Sequence, residues 1–130
     1  MTKSKERIKK TGEVFTPQWL VDQMLDELPQ DLFVDPEKTF IDPACGDGNF
    51  LVRVLRRKIE GGSEPLKALQ TTYGVDLMED NIQKCRKRLF YVAFEYDPNP
   101  NLAWRDALFS NIKAANTLET SLEDIFTVNT

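Results

Sequence analysis

Apolar residues along the chain recur either at helical spacing or in short runs. The first clear helix is predicted to begin at Thr16-Pro17, because threonine caps helices and proline fits their first position. Apolar side chains then recur three and four residues apart until Pro29 ends the pattern. They are Leu20, Val21, Met24, Leu25 and Leu28. The same spacing predicts helices over residues 50–59, ended by Gly61-Gly62, and over residues 78–94.

Short apolar runs between these helices predict strands. The runs are residues 39–42, 72–76, 102–104 and, more weakly, 124–128. Shorter helical pieces are predicted over residues 65–69 and near residues 118–122. Because strands alternate with helices, the crossovers should be right-handed and the strands parallel. The sequence therefore predicts an α/β fold, a three-layer sandwich with a parallel sheet that is truncated after about the fourth strand.

Length and composition suit one globular domain. The chain has 130 residues, and its hydrophobic fraction of 41% is ordinary for such domains. No apolar run approaches the roughly 20 residues that span a membrane, and no apolar core follows the N-terminus as in a secretory signal. We therefore expect no membrane partner.

Charge is unevenly distributed, although the formal net charge is only −4. Residues 1–10 hold five basic side chains against the single acid Glu6. Such a run is either a solvated tail or a segment that steers a polyanion. We predict a basic flexible tail over residues 1–10 and one domain over residues 11–130.

Two cysteines and no histidine limit the chemistry of the chain. Two thiols without histidine cannot complete a four-ligand zinc site. Nucleophile pairs of the Ser-His and Cys-His kinds are also excluded. Nothing indicates export, so we expect a reduced, cytoplasmic protein without a metal, in which Cys45 is a small packing residue.

A glycine-containing turn follows the first predicted strand. Gly46 and Gly48 allow a sharp turn and a close approach of the backbone to a ligand. Acids stand at three successive predicted strand ends, Asp42, Asp76 and Asp106. Because the carboxyl ends of parallel strands share one edge, where such folds bind ligands, these groups predict a ligand site.

The run from Asp42 to Phe50 resembles the cofactor motif of amino-group DNA methyltransferases, especially the adenine-N6 enzymes of restriction-modification systems. The run from Thr11 to Pro17 resembles their segment that packs against the methionine part of S-adenosylmethionine. This order matches the class whose target-recognition region lies at the C-terminus. The resemblance implies a Rossmann-like methyltransferase fold, S-adenosylmethionine as cofactor and DNA as partner.

The resemblance also implies which residues bind the methionine side of the cofactor. Val14, Phe15 and Thr16 would line that side, and Asp42 would lie near the cofactor ammonium. The turn and the helix start beneath the cofactor would comprise Pro43, Ala44, Gly46, Gly48, Asn49 and Phe50.

On the nucleoside side, the resemblance implies that Asp76 would bind both ribose hydroxyls and that Leu77 would lie against one face of the adenine. Asp106 would accept from the adenine amine, and the backbone N–H of Ala107 would lie nearby. Each acid also has a plainer interpretation. Asp76 could simply favour a helix N-terminus, and Asp106 could be a solvated loop acid.

The family methylates a flipped base with an Asn or Asp followed by Pro-Pro and an aromatic residue. Asp97-Pro98-Asn99-Pro100 precedes the third predicted strand and lacks the aromatic residue. Asn129 follows the predicted fourth strand and is our candidate for the first position of the motif, but Thr130 replaces the proline. We therefore expect cofactor binding with little methylation by this chain alone, and DNA binding through a missing or separate C-terminal part.

Several alternatives stay open. The chain could be a non-enzymatic module that binds or sequesters S-adenosylmethionine, or a fragment of an RNA or protein methyltransferase. A nicotinamide dehydrogenase is disfavoured because the turn lacks the three-glycine fingerprint. An open sheet edge would invite a homo-oligomer or a complementing subunit. The basic side chains of residues 84–88 form either a solvated helix face or a phosphate contact.

Overall fold

A computed structural model of the protein describes residues 16–126. The predicted basic tail lies outside the described residues. The described helices are α1 Gln18–Asp26, α2 Asp31–Val34, α3 Asn49–Glu60, α4 Pro65–Gln70, α5 Glu79–Tyr96, α6 Leu102–Asn111 and α7 Leu122–Phe126. The described strands are β1 Phe40–Asp42, β2 Thr72–Asp76 and β3 Ile112–Ala114.

The three strands form one parallel sheet in the order β1-β2-β3. Asp42 of β1 pairs with Gly74, and Asp76 of β2 pairs with Ala114 of β3. The α/β class and the parallel sheet predicted from the sequence are therefore confirmed. The carboxyl ends of the strands lie along one edge, so the residues that follow each strand are neighbours.

Two apolar clusters hold the helices against the sheet. The larger cluster joins α3, α4, α5 and α6, with Leu51, Leu55, Ile82 and Leu89 almost completely buried. The smaller cluster packs α1 and α2 against α3. Its buried members are Val21, Leu25, Phe33 and Val54. Both clusters use α3, the helix that starts directly after the glycine turn, so core packing fixes the position of that turn.

The predicted third strand is wrong, because residues 102–104 begin helix α6 instead. The Asn101 side chain accepts a hydrogen bond from the Ala103 backbone N–H and caps this helix. The buried residues of α6 recur at helical spacing, with steps of three, one and three residues. They are Trp104, Ala107, Leu108 and Asn111. Trp104 is therefore a core residue of a helix and not of a strand.

The described part of the predicted fourth strand is also helical. Ser121 starts α7, because its hydroxyl oxygen accepts from the Asp124 N–H and its carbonyl accepts from the Ile125 N–H. Residues 127 and 128 lie outside the described residues. A helical turn was predicted near residues 118–122; there the Asn116 carbonyl accepts from the Glu119 and Thr120 N–H groups in a single turn, and the helix begins only at Leu122.

A buried lysine ties helix α3 to the sheet. Lys58 is 3% exposed. Its ammonium donates to the Lys38 carbonyl at 3.0 Å and to the Thr71 carbonyl and hydroxyl at 3.0 and 2.8 Å. Burial lowers the pKa of Lys58 to about 8. The unfolded chain therefore holds this proton more tightly than the folded one.

The lowered pKa of Lys58 predicts a pH dependence of stability. From about pH 8 to about pH 10.5 Lys58 is more fully protonated in the unfolded chain, so its contribution to the free energy of unfolding should rise with pH, by on the order of 3 kcal/mol. Urea titrations at several pH values should show that the stability of the wild type relative to Lys58→Met rises over this range, a comparison from which the opposing contribution of the buried Cys45 thiol cancels. The control Lys67→Met removes a more exposed lysine and should keep the rise; equal pH profiles for wild type and Lys58→Met would contradict the prediction.

Candidate functional site

The glycine turn after β1 is bonded directly to β2. The Cys45 N–H donates to the Val75 carbonyl at 2.8 Å, so the turn stays attached to the neighbouring strand. Gly46 and Gly48 have φ values of 57° and 101°, a region that side chains with a Cβ rarely adopt. A Cβ on Gly48 would also lie 2.9 Å from the Cys85 sulfur. The turn therefore requires glycine at this position for two independent reasons.

Asp76 organises the site from the end of β2. Its Oδ1 accepts from the Gly46 N–H at 3.1 Å. Its Oδ2 accepts from the Met78 N–H and from the Asn81 side-chain amide, both at 3.0 Å. A carboxylate offers about four acceptor positions, so about one remains for a ligand. Asp76 thus has the helix-start role of the plainer interpretation and also keeps capacity for a hydroxyl.

Asp42 lies half-buried at the end of β1. Its Oδ1 accepts from the Ala44 N–H at 3.0 Å. Burial, with a further contribution from the Asp76 carboxylate, raises the pKa of Asp42, and the Ala44 hydrogen bond only partly opposes this. Two acids therefore make this edge of the sheet electronegative, which favours a cationic ligand.

The raised pKa of Asp42 predicts that the negative charge of this residue lowers the stability of the folded chain at neutral pH. Because the folded chain binds the proton more tightly than the unfolded one, stability should fall as pH rises through the folded pKa. Asp42→Asn retains an acceptor for the Ala44 N–H, and it should unfold at a higher denaturant midpoint than wild type at pH 7. Glu27→Gln, an exposed charge-matched control, should leave the midpoint unchanged. A lower midpoint for Asp42→Asn would contradict this prediction.

Asn49 joins three segments at the start of α3. Its amide nitrogen donates to the Thr16 carbonyl at 3.4 Å, and its Oδ1 accepts from Arg88 of α5 at 2.9 Å. Arg88 also donates to the side chain and the carbonyl of Asp47, at 3.2 and 3.1 Å. Thr16 is therefore brought to the glycine turn, and α5 fixes the outer side of that turn.

The other predicted residues of the turn differ in exposure. Pro43 and Ala44 are exposed at the site edge, as is Leu77, which is 55% exposed beyond β2. Phe50 packs against the α1–α3 cluster and is half-buried. The arrangement leaves Leu77 free to cover a flat ligand, whereas Phe50 mainly supports the helix.

Asp106 and Ala107 do not lie at a strand end, so that prediction is wrong. Both lie within α6, where Asp106 is exposed and Ala107 is buried. An N–H inside a helix is already bonded to the carbonyl four residues earlier, so that of Ala107 is not free for a ligand. Val14, Phe15 and Asn129 lie outside the described residues.

Asn116 takes the place that the sequence analysis gave to Asp106. It follows β3 by two residues and is half-buried. Its Oδ1 accepts from the Leu118 N–H at 2.9 Å, which orients the side chain. Ala115 is tied to the neighbouring strand, because its N–H donates to the Asp76 carbonyl at 3.0 Å. An amide side chain thus lies at the third strand end.

Two of the four basic residues in the segment 84–88, Arg86 and Arg88, are hydrogen-bonded to other parts of the protein, which neither sequence interpretation assumed. Arg86 donates through Nε and Nη2 to the Ile112 carbonyl, at 2.9 and 2.6 Å, and Arg88 holds the glycine turn. A sequence signal existed, because Asn81, Cys85 and Arg88 lie four and three residues apart on one helix face. Because Cys85 belongs to the buried face of this helix, its neighbours on that face are directed towards the protein as well.

The two cysteines support the turn rather than provide chemistry. Both are free, buried and part of the larger core cluster, so the predicted packing role of Cys45 is confirmed. A hydrogen bond with Cys85, followed by burial, raises the pKa of the Cys45 thiol, which makes it a poor nucleophile. Residues 16–126 contain no cluster of three or more His, Cys, Asp or Glu side chains that could hold a metal ion.

Comparison with known sequences decides the family. The N-6 DNA Methylase family matches residues 1–123. The chain belongs to this DNA methyltransferase family. It is also 36% identical over 80 residues to the Type II methyltransferase M.VspI of Vibrio sp. (strain 343). That match covers 62% of this chain and 17% of the relative, so the matched segment spans less than a fifth of that protein's length.

No solved structure matches the chain significantly. Among the described residues, no helix is both long and apolar enough to cross a membrane. The predicted resemblance to the adenine-N6 family is confirmed by the family match.

Proposed function

We propose that this chain forms the S-adenosylmethionine-binding part of a DNA adenine-N6 methyltransferase. The observation that carries the proposal is the pair of acids, Asp42 and Asp76, on either side of a left-handed glycine turn. S-adenosylmethionine carries positive charge on its ammonium and sulfonium groups and supplies the methyl group. A cationic ligand would stabilise the buried negative charge of Asp42, whose burial raises the pKa of that carboxyl group.

The residues at the strand ends fit the parts of this cofactor. Asp42 has one carboxylate oxygen without a hydrogen bond from the described residues, and this oxygen would accept from the ammonium. The remaining acceptor position of Asp76 would take a ribose hydroxyl. Leu77, exposed beyond β2, would cover the adenine, and the amide of Asn116 would lie at its polar edge. The glycine turn would bring the backbone close beneath the methionine part.

In methyl transfer, this part of an enzyme would contribute by holding the cofactor in position. Arg88, Asn49 and Asp76 each bridge two or three segments around the turn, so the acids are held before a ligand arrives. A preorganised site keeps the transferred group in a fixed direction relative to its acceptor. Family membership supports DNA as the acceptor rather than RNA or protein. Transfer to DNA is proposed for the complete enzyme.

Calorimetric titration with S-adenosylmethionine tests this proposal. Wild type should bind one equivalent, and Asp42→Asn should bind about 10-fold more weakly or worse, because a charge-assisted hydrogen bond is worth roughly 1.5–3 kcal/mol. Glu27→Gln removes the same charge from an exposed position and should bind like wild type. Equal affinity of all three proteins would show that the acids at the strand ends do not form the site.

A further inference from the structure

A groove of about 560 Å³ lies between α5 and α6, away from the glycine turn. Phe90 and Leu108 line its buried side. Tyr91 and Phe109 line its open side and are 59% and 53% exposed. Apolar and aromatic side chains that line a concave surface are a common feature of binding sites. The groove is therefore a candidate binding site that the cofactor proposal does not use.

Cationic side chains stand among these rings. The Arg86 and Arg105 guanidiniums lie 4.3 and 5.6 Å from the centre of the Phe109 ring. Arg86 uses Nε and Nη2 for the Ile112 carbonyl, which leaves Nη1. Within residues 16–126, Arg105 and Lys87 form neither a hydrogen bond nor an ion pair. Their charges are therefore available to an incoming anion.

The charge of the groove contrasts with that of the whole chain. The formal net charge of the protein is −4, so three cations on one groove are not a consequence of general composition. Glu79 is the acid in the lining, and it stands at the start of α5, about 10 Å along the helix axis from Arg86. The end of the groove near Arg105 is accordingly electropositive and complements a phosphate.

We propose that the α5–α6 groove binds single-stranded DNA, with a base stacked on Tyr91 and phosphates neutralised by Arg105 and Lys87. Exposed rings interleaved with unpaired cations are the features that bind single strands, because every base has a face that can stack. A duplex hides those faces. Since α5 begins three residues after Asp76, the groove starts near the edge that holds the candidate cofactor site.

Fluorescence anisotropy with labelled decathymidylate and the 130-residue chain tests the groove. Tyr91→Leu keeps an apolar side chain but removes the stacking ring, and it should weaken binding about 10-fold, whereas Tyr91→Phe should bind like wild type. Arg105→Ala should weaken binding and lower the slope of log affinity against log salt by about 0.7. Lys67→Ala, which removes a cation on α4, should change neither quantity.

Four outcomes would overturn the proposal. The first is a Tyr91→Leu variant that binds the oligonucleotide as tightly as wild type, and the second is a wild type that binds a ten-base-pair duplex as tightly as the single strand. The third is full displacement of the oligonucleotide from the wild type by an acidic leucine-containing peptide at equal concentration. The fourth is oligonucleotide binding that depends on the lysines of residues 1–10 but not on Tyr91. Circular dichroism should show that each variant is folded. Tyr91→Leu should bind S-adenosylmethionine normally and Asp42→Asn should bind the oligonucleotide normally, so the groove and cofactor proposals fail separately.

Discussion

Asp76→Ala should lose about 100-fold or more in S-adenosylmethionine affinity and about 2–4 kcal/mol in unfolding free energy. The affinity falls because the ribose loses a charged acceptor and because the glycine turn loses the bond from Gly46 that fixes it. Stability falls because the Gly46 N–H, the Met78 N–H and the Asn81 amide each lose a hydrogen bond to the Asp76 carboxylate, and a hydrogen bond to a charged group is worth roughly 1.5–3 kcal/mol. Calorimetric titration and urea unfolding measure the two effects.

A matched variant separates ligand binding from support of the turn. Asn81→Ala removes one donor to Asp76 but leaves the carboxylate and its bond from Gly46. It should lower the unfolding free energy by about 1–3 kcal/mol while the folded protein keeps its affinity within a few-fold. If Asn81→Ala lost affinity as severely as Asp76→Ala, Asp76 would act only through the structure of the turn.

Gly48→Ala should destabilise the chain by about 2–6 kcal/mol. A residue with a Cβ at a φ of 101° is strained by on the order of 1–3 kcal/mol. The added Cβ would also lie 2.9 Å from the Cys85 sulfur, and such overpacking costs roughly 1–3 kcal/mol more. Thermal and urea unfolding of the variant measure the loss.

The two causes can be separated by a double-mutant cycle with Cys85→Ala. Removing the sulfur abolishes the short contact but leaves the backbone strain, so the double variant should recover about 1–3 kcal/mol relative to the sum of the single changes. Simple additivity of the two changes would show that the sulfur is not in the way. A Gly48→Ala protein as stable as wild type would contradict the left-handed turn itself.

The sequence predicted the first half of the fold well, because local and long-range preferences agree there. Helices α3 and α5 have sustained helical spacing, and two glycines mark the turn between β1 and α3. Strand β2 is flanked by helices with clear ends. The two acids at the first two strand ends are therefore placed as expected, and the structure adds that they share one electronegative edge.

The second half could not be predicted as well, since short elements leave weak patterns. The run Leu102-Ala103-Trp104 is as apolar as a strand, and only the buried positions farther along, together with Asn101 as a cap, indicate a helix. Strand β3 has three residues and buries only Ile112, so its sequence shows no alternation. Placing Asp106 at the site followed from the wrong strand, and Asn116 was overlooked for the same reason.

The contacts that hold the site were harder still to predict, since they join residues far apart in the chain. Arg88 meets Asn49 across 39 positions, and Asp76 meets Gly46 across 30. Hydropathy treats an arginine as a residue that points into solvent, whereas the partly exposed Arg88 is hydrogen-bonded to the glycine turn. Its position on the same helix face as Cys85 was a sequence signal that could have placed it there, but the sequence analysis did not use it.

The measurement that tests the central claim is calorimetric titration of wild type and Asp42→Asn with S-adenosylmethionine and with S-adenosylhomocysteine, which lacks the sulfonium charge. Because two acids lie at the strand ends, we expect the wild type to bind both ligands at one site and to bind the positively charged S-adenosylmethionine more tightly. This preference should shrink in Asp42→Asn, because one of the two negative charges is gone. A folded wild-type chain that binds neither ligand, or a preference that Asp42→Asn leaves unchanged, would contradict the account.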